Sequence, residues 1–170
     1  MSKKISLREF QENLVQRLTT AQQGQTTRAA LGIQAGREFW LVDLTDSGEI
    51  VPTPHLSSVP LTQSWFRGLA NIRGSLYSVV DFAAFQGGDP TPATSESRLL
   101  LIGTRLGLNS AILVSRALGL RNLDELESAP RTDEIRPWVG DAYVDLQGRT
   151  WNKLLVRNLV MQPRFLDVGV

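Results

Sequence analysis

The chain of 170 residues contains no cysteine. That absence removes disulfide frameworks, thiolate zinc sites and cysteine nucleophiles together, and it fits a reducing compartment. Histidine is nearly absent as well: His55 is the only one, and it follows Pro52 and Pro54 in a loop-like stretch. A lone imidazole needs carboxylates beside it to hold a metal, and Asp46 and Glu49 lie on the far side of both prolines. Charge of one sign is missing too. Eighteen Lys and Arg against 17 Asp and Glu leave a formal net charge of +1, so the whole chain makes no electrostatic case for nucleic acid. Long hydrophobic runs are absent: none approaches the ~20 apolar residues of a membrane helix. Charged residues and glutamines interrupt the first 30 positions, unlike the apolar core of a signal peptide. The expectation is a soluble cytoplasmic protein without membrane insertion.

Catalytic signatures are missing in the same way. The sequence has no Gly-x-Ser-x-Gly elbow, no G-x-x-x-x-G-K-[ST] phosphate loop and no G-x-G-x-x-G. The glycines at 103, 107 and 119 lie in strand and turn contexts with no capped helix behind them. Asp133-Glu134 sits in a loop beside arginines, where solvated ion pairs are the usual result. The expectation is no catalysis, no metal and no cofactor. An enzyme here would have to run on Asp, Glu, Ser, Lys and Arg, and the sequence nominates none of them.

What is present reads as globular. The apolar fraction is 42% and the charged fraction 21%, ordinary values for a folded domain. A chain of this size forms one domain or two small ones sharing a core, and buries roughly 70% of its unfolded surface. Ser6 and Glu9 make a capping box. Leu7, Phe10, Leu14, Leu18 and Ala21 then recur at three- and four-residue steps, a helix of about 15 residues with one apolar face. That face either packs on its own domain or serves partner binding or self-association. Gln22-Gln23-Gly24-Gln25-Thr26-Thr27 reads as a linker. The first 37 residues carry six basic against two acidic residues, either a solvated face or a mildly basic contact for an acidic partner.

Beyond the linker the texture is short strands. The stretches 29–34 and 39–44 flank a turn at 35–38. Phe39-Trp40-Leu41-Val42 is apolar on both faces and should be a fully covered strand. Val51-Pro52-Thr53-Pro54 cannot be the middle of a central strand, because prolines withhold amide donors. The stretch 60–65 is irregular, with room for one helical turn near 64–66. Asp81 ahead of Phe82-Ala83-Ala84-Phe85 reads as an N-capped short helix, and 86–97 as the clearest loop. A hairpin is expected from 99–102 and 111–114. The stretch 116–127 alternates and then turns helical, and 130–137 is a loop. A last strand pair covers 138–146 and 150–156 around Gln147-Gly148-Arg149. A short helix at 157–161 precedes an irregular tail. The pattern argues for an all-β chain, mainly strand with short helices, built as one or two small barrels.

One stretch draws attention to itself: GLANIRGSLYSVVDF, residues 68–82. Two apolar runs flank Arg73-Gly74-Ser75, so a charged arginine stands at the tip of a buried hairpin. The stretch resembles the signature of the CheW-like adaptor family, in which Gly-x-x-Asn-Leu-Arg-Gly leads into an apolar strand ending in Asp-Leu. Gly68, Asn71, Ile72, Arg73, Gly74, Val80 and Asp81 fall in step with it. Glu49-Ile50 lands at the family's Glu-Ile, Trp40 at its second-strand aromatic, and Val59-Pro60 with Trp65-Phe66-Arg67-Gly68 at its lead-in. The strand pair around Leu99 and Ala111, Gln147-Gly148-Arg149 and the closing stretch 155–160 are similar too. With its N-terminal helix, the chain looks most like the PilI-type adaptors of type IV pilus twitching motility.

The resemblance implies two intertwined five-stranded SH3-like β-barrels over 28–162, with a helix and linker at 1–27 and a tail at 163–170. It implies a non-catalytic adaptor that couples a methyl-accepting-type chemoreceptor to the regulatory domain of a CheA-like histidine kinase. Carried over, the partner-binding residues are Glu49, Ile50, Arg73 and Gly74. A planar guanidinium suits an interface, and Gly74 suits a turn needing positive φ or close backbone approach. Read without the family, Arg73-Gly74 is a soluble turn with Arg73 paired to Glu49, and Asp81 is a helix cap. The chain departs from the family where Thr150-Trp151-Asn152-Lys153 breaks the usual apolar closing strand, which reads as an edge or a bulge, and where the small residues usual at 141–145 are replaced. Two other readings stay open: a structural β-barrel module with an unrelated partner, and an OB-type nucleic-acid binder whose affinity would collapse with salt.

Overall fold

The structure, a computed structural model, describes residues 29–129 and 134–170. The helix expected over 6–21 and its linker lie outside the described residues. Strands β1 (Ala29–Ala35) and β2 (Glu38–Asp43) form an antiparallel hairpin. The chain then leaves for a second sheet, beginning with β3 (Ser47–Pro52), β4 (Phe66–Ile72) and β5 (Ser75–Asp81). The short helix Phe82–Phe85 follows, then β6 (Arg98–Ile102) and β7 (Ser110–Val114). It returns as β8 (Arg116–Asn122), β9 (Glu127–Ala129), β10 (Val139–Val144) and β11 (Thr150–Leu154).

The resulting order is β8-β1-β2-β11-β10-β9 in one sheet and β3-β6-β7-β5-β4 in the other. The whole five-stranded sheet is thus inserted between β2 and β8 of the six-stranded one, which is how the two halves intertwine. Only Ser115 separates β7 from β8, and its amide donates to the Gln34 carbonyl of β1 at 2.9 Å. The expected count of five strands per unit holds for one sheet; the three-residue β9 is the sixth strand of the other.

The continuous apolar runs have a simple cause. Side chains alternate across a strand, so a run without alternation must have both faces covered. In β6, Leu99 and Leu101 fill the interior of the five-stranded sheet, while Leu100 and Ile102 join a core shared by both halves. In β7, Ala111 and Leu113 go one way and Ile112 and Val114 the other. In β2, Trp40 and Val42 enter the shared core, and Leu41 packs with Tyr143 and Trp151 inside the six-stranded sheet. Trp40 packs against Phe82 with centroids 4.9 Å apart and the rings tilted by 58°, and Phe85 packs edge-on against Trp65 at 5.0 Å. The helix Phe82–Phe85 is therefore the plug between the two halves.

Several expectations are corrected. Residues 64–66 form no helical turn: Phe66 N donates to the Gln63 carbonyl in a reverse turn, and the chain goes straight into β4. The stretch 116–127 turns helical only for the 3-10 turn Leu123–Glu125 between β8 and β9. Strand β11 is not an edge. It lies between β2, to which it is parallel, and β10. Its polar residues are satisfied there: Lys153 pairs with Asp43 at 3.2 Å, and Asn152 donates to Glu38 at 3.4 Å. The expected irregularity falls instead in the β10–β11 register, between Val139 and Ala142. The tail is also ordered: it forms a helix, Pro163–Leu166, buries Phe165, and accepts the Gln63 amide on Val168 at 2.8 Å.

Candidate functional site

The β4–β5 hairpin turns in two residues. Arg73 has φ 52° and Gly74 φ 84°, both in the left-handed region. That is the geometry whose twist matches the flanking strands. Asn71 closes the turn by accepting from the Gly74 amide at 2.9 Å. A Cβ on Gly74 would meet nothing within 4 Å, so it is conformation and not crowding that favours glycine here. Leu76, paired with Asn71 in the register, is exposed beside the tip.

Arg73 Nη2 donates to Glu49 Oε1, and the two side chains remain 69% and 43% exposed. Their strands stand apart in the sheet, since β3 and β4 are its opposite edges. The chain leaving β3 bridges that gap: Ser57 N donates to the Leu69 carbonyl at 2.8 Å, and Leu69 N returns the bond at 2.9 Å. The five-stranded sheet is thereby curled into a barrel, and the hairpin tip arrives over Glu49. Gly68 makes the closure possible, because a Cβ there would lie 2.1 Å from the Ser57 carbonyl oxygen. Ile50 differs from its neighbour. It is half-buried against the shared core, opposite Leu100. Glu49, Arg73 and Gly74 thus come together at one barrel rim, with Ile50 beneath them.

Asp81 caps the helix, as its position implied, by accepting from the Ala84 amide at 3.3 Å. It does more. Fully buried, it also accepts from Thr91 N and Thr91 Oγ1, each at 2.7 Å, and pairs with Arg67 at 3.1 Å. Arg67 in turn donates to the Thr91 carbonyl at 3.1 Å. One carboxylate therefore ties the 86–97 loop to the barrel, and nothing in that polar loop's composition marked Thr91 as the anchor.

A second cluster also escaped sequence reading. Arg136 forks onto Glu38 at 2.9 and 3.0 Å, donates to Glu134 at 2.8 Å and to Gln86 at 2.7 Å, and lies over the Trp40 ring at 5.5 Å. Hydrogen bonds donated to Glu134 and then to Glu38 hold its guanidinium charged still more firmly than usual. This is a partly buried network joining β2, the helix Phe82–Phe85 and the segment before β10, where solvated pairs were expected. An Arg-Pro step in a polar loop carries no signal of such a role.

The chemistry of these sites is positional. His55 is exposed in the segment after β3. Among the described residues no group of three His, Asp or Glu side chains is placed to hold a metal ion, and no helix is long and apolar enough to cross a membrane. The rim of the five-stranded barrel offers a cation, an anion and an apolar side chain on a rigid turn, a composition that fits a protein surface.

Comparison with known proteins agrees with the geometry. Over 157 residues the chain is 22% identical to Protein PilI of Pseudomonas aeruginosa, covering 90% of this chain and 86% of that protein. The crystal structure of the scaffolding protein TtCheW from Thermoanaerobacter tengcongensis matches with a TM-score of 0.62 at 17% identity, over 75% of this chain and 88% of that one. The CheW-like domain profile matches residues 29–162, from the first strand through the last. With both sheets inside that match, the chain belongs to the CheW-like domain family.

Proposed function

We propose that this chain is a non-catalytic adaptor that couples a methyl-accepting-type chemoreceptor to a CheA-like histidine kinase in a chemotaxis-like system controlling twitching motility. The observation that carries this reading is the family match across both sheets. The likeness to Protein PilI supports the twitching-motility setting. The body 28–162 does the docking in the cytoplasm, flanked by the segment 1–27 and the tail 163–170, with no cofactor, nucleic acid or membrane insertion required. Glu49, Arg73 and Gly74 form the contact for the kinase regulatory domain, and Ile50 supports them from below. The exposed Arg73–Glu49 pair suits this role. Such pairs contribute roughly 0–1 kcal/mol within one chain, so either partner can be re-paired across an interface at little cost.

The test is a calorimetric titration of the full chain against the regulatory domain of the CheA-like kinase of the same organism, and against the cytoplasmic tip of its receptor. Wild type is expected to bind both. Arg73→Glu, still folded, is expected to weaken kinase binding by about 2 kcal/mol or more. Failure of the wild-type chain to bind either protein would sink the proposal.

A further inference from the structure

The six-stranded sheet lacks the closure seen in the five-stranded one. Its edges are β8 and β9, and among the described residues no ladder joins them. The 3-10 turn Leu123–Glu125 runs directly between these two edges, so a seam opens beside it. The seam holds a cavity of about 240 Å³, lined by Leu120 and Arg121 of β8, Glu125 and Leu126 of the corner, and Asp145 and Leu146 of the β10–β11 turn.

Two features mark this seam as a docking surface. Leu120 and Leu146 are 65% and 97% exposed, large apolar side chains at the mouth of one cavity. Arg121 lies over the buried Trp151 ring at 5.2 Å, and its Nε is buried with no hydrogen-bond partner among the described residues. A buried donor without an acceptor is costly, and covering exposed leucines is favourable. The surface is suited to an apolar stripe that brings one acceptor.

The chain supplies such a stripe at this place. Ala29, where β1 begins, pairs with Asn122 of β8, next to Arg121 in the cavity wall. Residues 1–28 therefore join the fold at the seam. Leu7, Phe10, Leu14 and Leu18 stand at helical spacing, with Gln11 and Glu12 as acceptors among them. The seven residues 22–28 reach at most about 25 Å, and a helix of 16 residues is about 24 Å long. The tether thus keeps the stripe near the seam, at an effective concentration of about millimolar or more. Charge agrees: the segment 1–28 has five basic residues against two acidic ones. Asp124, Glu125 and Glu127 are exposed at the corner.

We infer that the amphipathic segment 6–21 docks on the seam of its own six-stranded sheet, its apolar stripe over Leu120 and Leu146 and one of its polar groups accepting from Arg121 Nε. This surface is then occupied within the chain, on the half that does not carry Arg73 and Glu49.

The absence of cysteine makes the test direct. The full chain with Gln147→Cys carries a single nitroxide at the rim of the seam. Amide signals of residues 6–21 are expected to disappear in the same molecule, and to persist when the label sits at Ser75→Cys on the other sheet. Adding Leu120→Asp and Leu146→Asp, both at exposed positions, is expected to restore them, with unchanged signals from the five-stranded sheet showing that the fold is intact. Unaffected signals in the Gln147→Cys chain would overturn the inference. So would loss seen only when labelled and isotope-enriched copies are mixed, which would make a second copy the occupant.

Discussion

Arg73 donates to Glu49 although one belongs to the tip of the β4–β5 hairpin and the other to β3, at the far edge of the same sheet. The contact exists because the segment after β3 crosses to pair Ser57 with Leu69 and curls the sheet. Both side chains are exposed, so the pair adds little stability and leaves two opposite charges on a rigid rim.

A charge swap separates its possible roles. Arg73→Ala is expected to change the urea midpoint by less than about 1 kcal/mol of stability. The double variant Arg73→Glu with Glu49→Arg restores the pair within the chain but inverts what a partner meets. It should stay as stable as wild type and still bind the kinase regulatory domain poorly. Wild-type affinity in the double variant would confine the pair to an intramolecular role.

The two glycines of this hairpin should respond differently to alanine. At Gly74 the added Cβ has open space and only φ +84° opposes it, so Gly74→Ala should cost about 1 kcal/mol. At Gly68, φ is +114° and the Cβ would overlap the Ser57 carbonyl. Gly68→Ala should therefore cost about 3 kcal/mol or more and open the barrel. Denaturant unfolding of the two variants side by side decides it; equal midpoints would refute the closure argument.

Asp81 is fully buried and serves Arg67, Thr91 and the helix Phe82–Phe85 at once. Asp81→Ala strands a guanidinium and a buried amide, so a loss of about 3 kcal/mol is expected. Amide exchange at Thr91 should accelerate before the sheets loosen. If only the helix cap were lost, the cost would stay near 1 kcal/mol and Thr91 would keep its protection.

Asp145 offers a pH handle. Its carboxyl is held below the usual carboxylate range, first by the Trp151 indole N–H and then by the Arg149 amide. A depressed folded-state pKa means that its contribution is fully present above the unfolded-chain value. It is lost as pH falls through the lower folded value. The Trp151 indole proton resonance should therefore shift only at acid pH, with a midpoint below that of a free aspartate. Asp145→Asn should abolish that titration. A midpoint at or above the ordinary value would contradict the hydrogen bonding seen here.

Much of the fold was legible residue by residue. Phe39-Trp40-Leu41-Val42 announced a strand covered on both faces and Leu99-Leu100-Leu101-Ile102 one arm of a hairpin, and both lie in sheet interiors. Pro52 and Pro54 predicted that their strand would not be central, and β3 is an edge. Asp81 was readable as a cap, and Arg73-Gly74 as a turn. The polar residues of Thr150-Trp151-Asn152-Lys153 suggested an edge strand or a bulge; β11 lies inside its sheet, and its pairing with β10 shifts register between Val139 and Ala142.

Periodicity, turn residues and caps report local backbone geometry and burial, because those are set within a few residues of chain. The sequence by itself therefore determined most of the strands and turns, though not the short β9, and the family signature of GLANIRGSLYSVVDF. Sheet order was left to the tertiary structure. The parallel pairing of β11 with β2 links residues more than a hundred positions apart, and it is this pairing that brings Lys153 to Asp43 and Asn152 to Glu38. Barrel closure likewise decided that Arg73 meets Glu49 and that Gly68 admits no side chain, and the packing of the two halves against each other decided that Arg136 joins three segments. Such contacts depend on which distant strands become neighbours, a choice made by the packing of the whole chain and not by the local pattern at any of these residues.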